Sequence, residues 1–131
     1  MALSRTTFAE LLGPDPANRP WRELVGVVAD GYRDLHKHPV MAAVLGNIHL
    51  YGEYAEEDAA LLREMTMVVA TLMSVWAPQL SARQREVSAT LVVHTTAAAV
   101  FLVAREEAMA DELLAETKTL LIRYLEAFIE D

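Results

Sequence analysis

The chain has 131 residues, enough for one compact domain and too few for two. It contains no cysteine, so neither a disulfide framework nor a thiolate metal site can be built from it. Its net charge of −8 makes it a poor candidate for nucleic-acid binding through a basic patch. Hydrophobic residues make up 53% of the sequence, more than a core of this size needs, and in a soluble chain the excess ends in a partner interface.

Residues 1–19 read as a peripheral linker with a short helix. Thr7 and Glu10 have capping-box spacing, Phe8, Leu11 and Leu12 follow, and Gly13-Pro14 stops the run. The start lacks the basic-then-apolar pattern of a secretory signal, which makes the cytoplasm the expected location. From Pro20 the pattern changes. Trp21, Leu24, Val25, Val28, Tyr32 and Leu35 recur at steps of three and four, the mark of a helix with one buried stripe, and His38-Pro39 ends it. A short helix is expected from Val40 to about Gly46, then a loop over 47–54 rich in aromatic and polar side chains. Glu56, Glu57 and Asp58 suit the first turn of the next helix, whose buried stripe runs through Leu61, Met65, Val68, Val69, Leu72, Met73 and Trp76 before Pro78.

The central segment runs from Ser81 to Glu107 without Gly or Pro, opens with the capping pair Ser81 and Gln84, and carries no charge from Ala89 to Ala104. That run is short of the roughly 20 apolar residues of a membrane span and includes His94, Thr95 and Thr96, so cover by protein is expected. Val87, Leu91, His94, Ala98, Phe101 and Leu102 share one bulky side, assigned to the interior of the domain. Ala89, Val93, Thr96, Ala97, Val100 and Ala104 share a small one, assigned to close approach of another helix, either the next in the chain or a second subunit's. After a break near 108–111, Leu113, Leu114, Thr117, Leu120, Leu121, Tyr124, Leu125 and Phe128 form a broad apolar arc on the last helix. No strand pattern or repeat is visible; the fold class is all-α, a bundle of about five to six helices.

The succession of a Trp-led helix ending in His-Pro, a short helix, a helix ending in Trp76-Ala77-Pro78, a long Ala/Val/Thr helix and a final helix with Arg123-Tyr124-Leu125 resembles the C-terminal ligand-binding and dimerisation domain of TetR-family transcriptional regulators. The resemblance covers residues 20–131. It implies that the last two helices pair with those of a second copy as a four-helix bundle, while the earlier helices enclose a pocket for a small effector. The family's N-terminal helix-turn-helix has no counterpart here, so DNA binding is not carried over; a fragment, a truncated product and a stand-alone domain all fit. The rival function is a helical dimerisation module without DNA-binding activity, and a further one is an enzyme built on the same pocket.

On this reading the homodimer interface comprises Val93, Thr96, Ala97, Val100, Leu121, Tyr124, Leu125 and Phe128. The ligand-binding set is Tyr32, His49, Tyr51, Met65, Leu72, Trp76, Leu91, His94 and Phe101. His94 has two readings, a ligand contact or a histidine bonded to a nearby hydroxyl or carbonyl. The pocket walls are apolar and the polar groups neutral, with Arg105 the one basic residue near them, which predicts a neutral or weakly cationic apolar ligand. His36 and His38 are too few for a metal site, no cofactor motif occurs, and the absence of a phosphate loop, a nucleophile elbow or a cysteine nucleophile argues against an enzyme.

Overall fold

A computed structural model describes residues 10–36 and 48–129, except the side chains of 32, 35–36, 48–58 and 61. Four α-helices carry the described fold: α1 Trp21–His36, α2 Ile48–Trp76, α3 Ala82–Arg105 and α4 Ala110–Glu126. Short 3-10 turns at Pro16–Asn18 and Glu107–Met109 precede α1 and α4. The described residues include no strand, and the chain is all-α.

The punctuation follows the sequence closely. Residues 10–12 are helical and stop at Gly13, whose φ of 78° is the left-handed conformation that ends helices at glycine. Arg19 donates from Nη1 to the carbonyls of Leu11 and Leu12 at 3.0 and 3.1 Å, satisfying acceptors that the ended helix leaves open, and pairs with Glu23 in the first turn of α1. Trp76 donates from Nε1 to the Ala17 carbonyl at 3.2 Å. Leu12 and Ala17 thereby join Leu24 and Leu72 in one apolar cluster, so the described end of the N-terminal segment packs on the domain.

α3 begins as expected at Ser81, whose Oγ accepts from the Gln84 amide N–H at 3.1 Å. The reciprocal half of the capping box is not made. Gln84 instead turns its Nε2 to Ser88 Oγ at 3.0 Å, and Tyr124 of α4 donates to the same oxygen at 3.1 Å. Ser88 is fully buried, and the Tyr124 bond ties the start of α3 to the end of α4.

Two expectations change. The predicted loop over 47–54 is helical from Ile48, so Glu56, Glu57 and Asp58 lie inside α2 and not in its first turn. Gly52 is the one poor helix former in that stretch, and its cost of about 1 kcal/mol is small against a helix this long. The short helix expected over 40–46 lies outside the described residues.

The larger change concerns α3. Its small side faces inward: Ser88, Ala89, Val93, Thr96, Val100 and Val103 are buried. α1, α2 and α4 all pack against it. Trp21 of α1, Met73 of α2 with Ala77 just past its end, and Leu125 of α4 with Ile129 just past its end close around Ala89. Met65 packs with Val93 and Val100 in the middle, and Ala29 and Leu114 with Val103 at the other end. A helix with neighbours on three sides can admit them at close range only through small side chains. The bulky residues are left to the fourth side.

α1 and α4 run antiparallel and are laced by Arg22–Glu126, Asp30–Lys118 and Arg33–Asp111 at 3.5, 2.7 and 3.0 Å. These exposed pairs fix register more than they add stability. Within α1, a Cβ added at Gly26 meets nothing within 4 Å, whereas one at Gly31 would come within 2.2 Å of Leu11 Cδ1. Gly26→Ala is therefore expected to raise stability by roughly 0.5–1 kcal/mol in urea unfolding, and Gly31→Ala to forfeit that gain by displacing Leu11.

Candidate functional site

The sequence-predicted ligand set does not come together as one site. Met65 and Leu72 are buried, in adjoining clusters along α2. Trp76 is half-buried and held by its bond to Ala17. Leu91 and Phe101, with relative exposures of 51% and 37%, lie on the open side of α3, and His94 is exposed between them. These three face away from the interior, because the close packing of three helices on α3 reserves its inner side for small residues. Tyr32, His49 and Tyr51 lie on helical backbone, and their side chains are outside the described residues.

Apolar side chains of α1, α2 and α3 pack together in two adjoining clusters. Val93, Ala97 and Val100 of α3 meet Leu62, Met65 and Val69 of α2, and the neighbouring cluster adds Val28 of α1 and Val68 of α2. Leu62, Val28, Val68, Val69 and Ala97 are half-buried, which marks them as the edge of this apolar region. Among the described residues the buried polar side chains are Ser88, Thr96 and Thr117, and no buried one is charged. Thr96 and Thr117 donate to the carbonyls of Val92 and Leu113 in their own helices. Arg105, expected near the pocket, is exposed and lies over the Phe101 ring at 5.8 Å.

The dimer residues read from the sequence move likewise. Val93, Thr96, Val100, Leu121 and Leu125 are buried in the chain's own core. Ala97 packs beside Val93 and Val100, while Tyr124 and Phe128 lie against the cluster of Trp21 and Met73, edge to face with ring centroids 5.2 Å apart. Each of the five buried residues is at most 6% exposed in the single chain.

What faces outward is a different stripe. Val87, Leu91, His94, Ala98, Phe101 and Arg105 recur at alternating steps of four and three along α3, the spacing of a helix–helix seam. Val87, Leu91, Phe101 and Leu102 are exposed, and so is Leu120 on α4. The Tyr124–Ser88 bond sets α3 and α4 antiparallel, which brings Leu120, one turn before Tyr124, to the level of Leu91. Sequence reading found the bulky stripe but turned it inward. Charge did not decide between the two sides: Arg83 and Arg105 lie in line with the bulky stripe, but Arg85 lies four residues before Ala89 and Glu86 seven before Val93, on the small side. His94 Nδ1 lies 2.9 Å from the Thr90 carbonyl, which only accepts, so Nδ1 is the donor of that bond.

α3 is long and apolar enough to cross a membrane by length and composition alone. Three helices of the same chain pack against it. Residues 20–125 match the family model described as tetracyclin repressor-like, C-terminal domain. No curated protein and no solved structure matches the chain.

Proposed function

The chain belongs to the tetracyclin-repressor-like C-terminal domain family, and from that premise we propose that it is the effector-sensing and dimerising part of a transcriptional regulator acting in the cytoplasm. Domains of this family typically dimerise and bind small molecules, and they belong to regulatory proteins. The observation that carries the proposal here is the exposed seam of α3, because its pattern is self-complementary. Laid antiparallel on a second copy about a two-fold axis at the level of Thr96, Leu91 stands opposite the partner's Phe101, and His94 opposite the partner's Ala98. Arg105 stands at the level of the partner's Val87 and Glu86, and Arg83 within a turn of the partner's Glu106, so the two ends of the seam, related by the two-fold, carry the same mixture of both charges.

The effector would enter the apolar region between α1, α2 and α3, against Val28, Met65, Val69, Ala97 and Val100. A region whose described buried residues include no charge offers an anion no counter-ion, so a neutral or weakly cationic, largely apolar compound is expected. A thermal-shift screen tests this. A matching compound at 100 times its Kd should add about 2.7 kcal/mol, a rise in Tm of roughly 8–10 °C. Carboxylates or phosphates as the strongest stabilisers would overturn the assignment. A stable dimer that no compound stabilises would favour a pure dimerisation module.

A further inference from the structure

Residues 10–19, which precede α1, are stitched to themselves as a closed strap. Arg19 holds the carbonyls of Leu11 and Leu12, and its backbone N–H donates to the Pro16 carbonyl at 3.1 Å. Asn18 donates to Asp15 from both its backbone and its side chain. The strap meets the helices in another way. Leu12 packs with Leu24 of α1 and Leu72 of α2, Ala17 lies beside them, and the Ala17 carbonyl accepts from Trp76 Nε1. Leu11 lies over Gly31, where α1 has no side chain to hold it off. The pair of Arg19 with Glu23 is at the surface, at the root of the strap. A short segment with few buried apolar contacts belongs to the low end of local stability, and one bonded within itself can lift as a unit.

From this arrangement we infer a second, cryptic binding site beneath the strap, on Leu24, Val28, Val68, Leu72 and Trp76, for a neutral apolar compound carrying a hydrogen-bond acceptor such as a ketone, ester or amide. The strap itself shows what fits there, since Leu12 supplies a branched aliphatic group and Ala17 a carbonyl. When the strap lifts, Leu24 and Leu72 lose their cover and the Trp76 N–H loses its partner. A compound that restores both contacts holds the strap off. No member of the cluster is ionisable, so a charged compound would give up its hydration without a counter-charge. Closed strap and bound compound exclude each other, and the apparent Kd is the intrinsic one divided by the open fraction. Loosening the strap therefore tightens binding, the opposite of what a purely structural segment would do. The site adjoins the region proposed for the effector and shares Val28 with it, but it does not depend on that region being occupied.

Nile red, a neutral dye with a ring carbonyl, serves as the probe, titrated by its fluorescence into the native chain, Arg19→Ala and Gly31→Ala. Arg19→Ala frees the Leu11 and Leu12 carbonyls, and Gly31→Ala pushes Leu11 away. Neither removes a wall of the site, and far-UV circular dichroism checks that each variant keeps its helices. Both should bind the dye roughly fivefold more tightly than the native chain, or better. Dye held on the exposed side of α3 is common to all three chains. The second readout is thermolysin, which cuts before Leu11 and Leu12 once the strap is open. Saturating dye should speed those cuts in the native chain by roughly threefold or more, because cleavage follows the open population. Equal or weaker binding by both variants would overturn the site, and so would cuts that stay constant or slow as the dye saturates. A compound that raises Tm in the thermal-shift screen yet leaves these cuts unchanged would support the effector region and count against this site, so the two readings fail separately.

Discussion

Val100→Glu is expected to unfold the chain itself, a larger effect than the loss of a subunit contact. Val100 has a relative exposure of 1% and packs with Met65 and Val93, and among the described residues no buried side chain carries a positive charge. A carboxylate placed there has to lose its hydration without a partner or take up a proton, at a cost on the order of 4 kcal/mol or more. That is a large fraction of the roughly 5–15 kcal/mol by which domains are stable. Urea unfolding followed by circular dichroism should show the midpoint collapse, or no folded baseline at all. The contrary result is informative: a variant that unfolds like the native chain but sediments as a monomer would return Val100 to a subunit interface and remove the inside-out placement of α3.

Much of the fold was legible because its signals are local. Gly13 needs a backbone conformation that other residues resist, Ser81 offers an oxygen to a helix start, and Pro78 cannot continue a helix. These positions read the same whatever they pack against. Residues 48–54 failed for the same reason in reverse. Aromatic residues with Gly52 and Glu53 carry weak local preference, and the helix there is the continuation of a long one with a strong stripe further along, from Met65 to Trp76.

The orientation of α3 was not legible from hydrophobicity, because both of its sides are apolar. The decision between them belongs to the number of neighbours. A helix covered on one side buries its largest residues, whereas one covered on three sides must bury its smallest, since bulky side chains would hold the neighbours apart. How many helices surround α3 is a property of the assembled domain, set by such distant contacts as Trp21 with Ala89 and Ala29 with Val103. Once that is known, Leu91, His94 and Phe101 fall on the open side of α3, and Val93, Ala97 and Val100 pack beside Met65. The polar anchors proposed for a ligand, Tyr32, His49 and Tyr51, depend on side chains outside the described residues.

Leu91→Glu is expected to separate the subunits of the proposed dimer while leaving each one folded. Leu91 is 51% exposed in the single chain, so a glutamate there can stay hydrated, and stability measured by denaturation should change by no more than about 0.5 kcal/mol. In the proposed seam the same substitution enters twice by symmetry, each carboxylate set against the partner's Phe101. The dimer dissociation constant should rise by about 100-fold or more, read by sedimentation over a concentration series. The pairing itself is testable by adding Phe101→Arg to the same chain. The two positions are ten residues apart, about 15 Å along α3, too far to bond within one helix. Across an antiparallel seam centred on Thr96, however, each new arginine would stand opposite the partner's new glutamate. Recovery of roughly tenfold or more in dimer affinity relative to Leu91→Glu alone is the expected result. A double variant no tighter than the single one would show that the copies do not pair in this register, and equal dimerisation by Leu91→Glu and the native chain would show that the exposed stripe of α3 is not the interface.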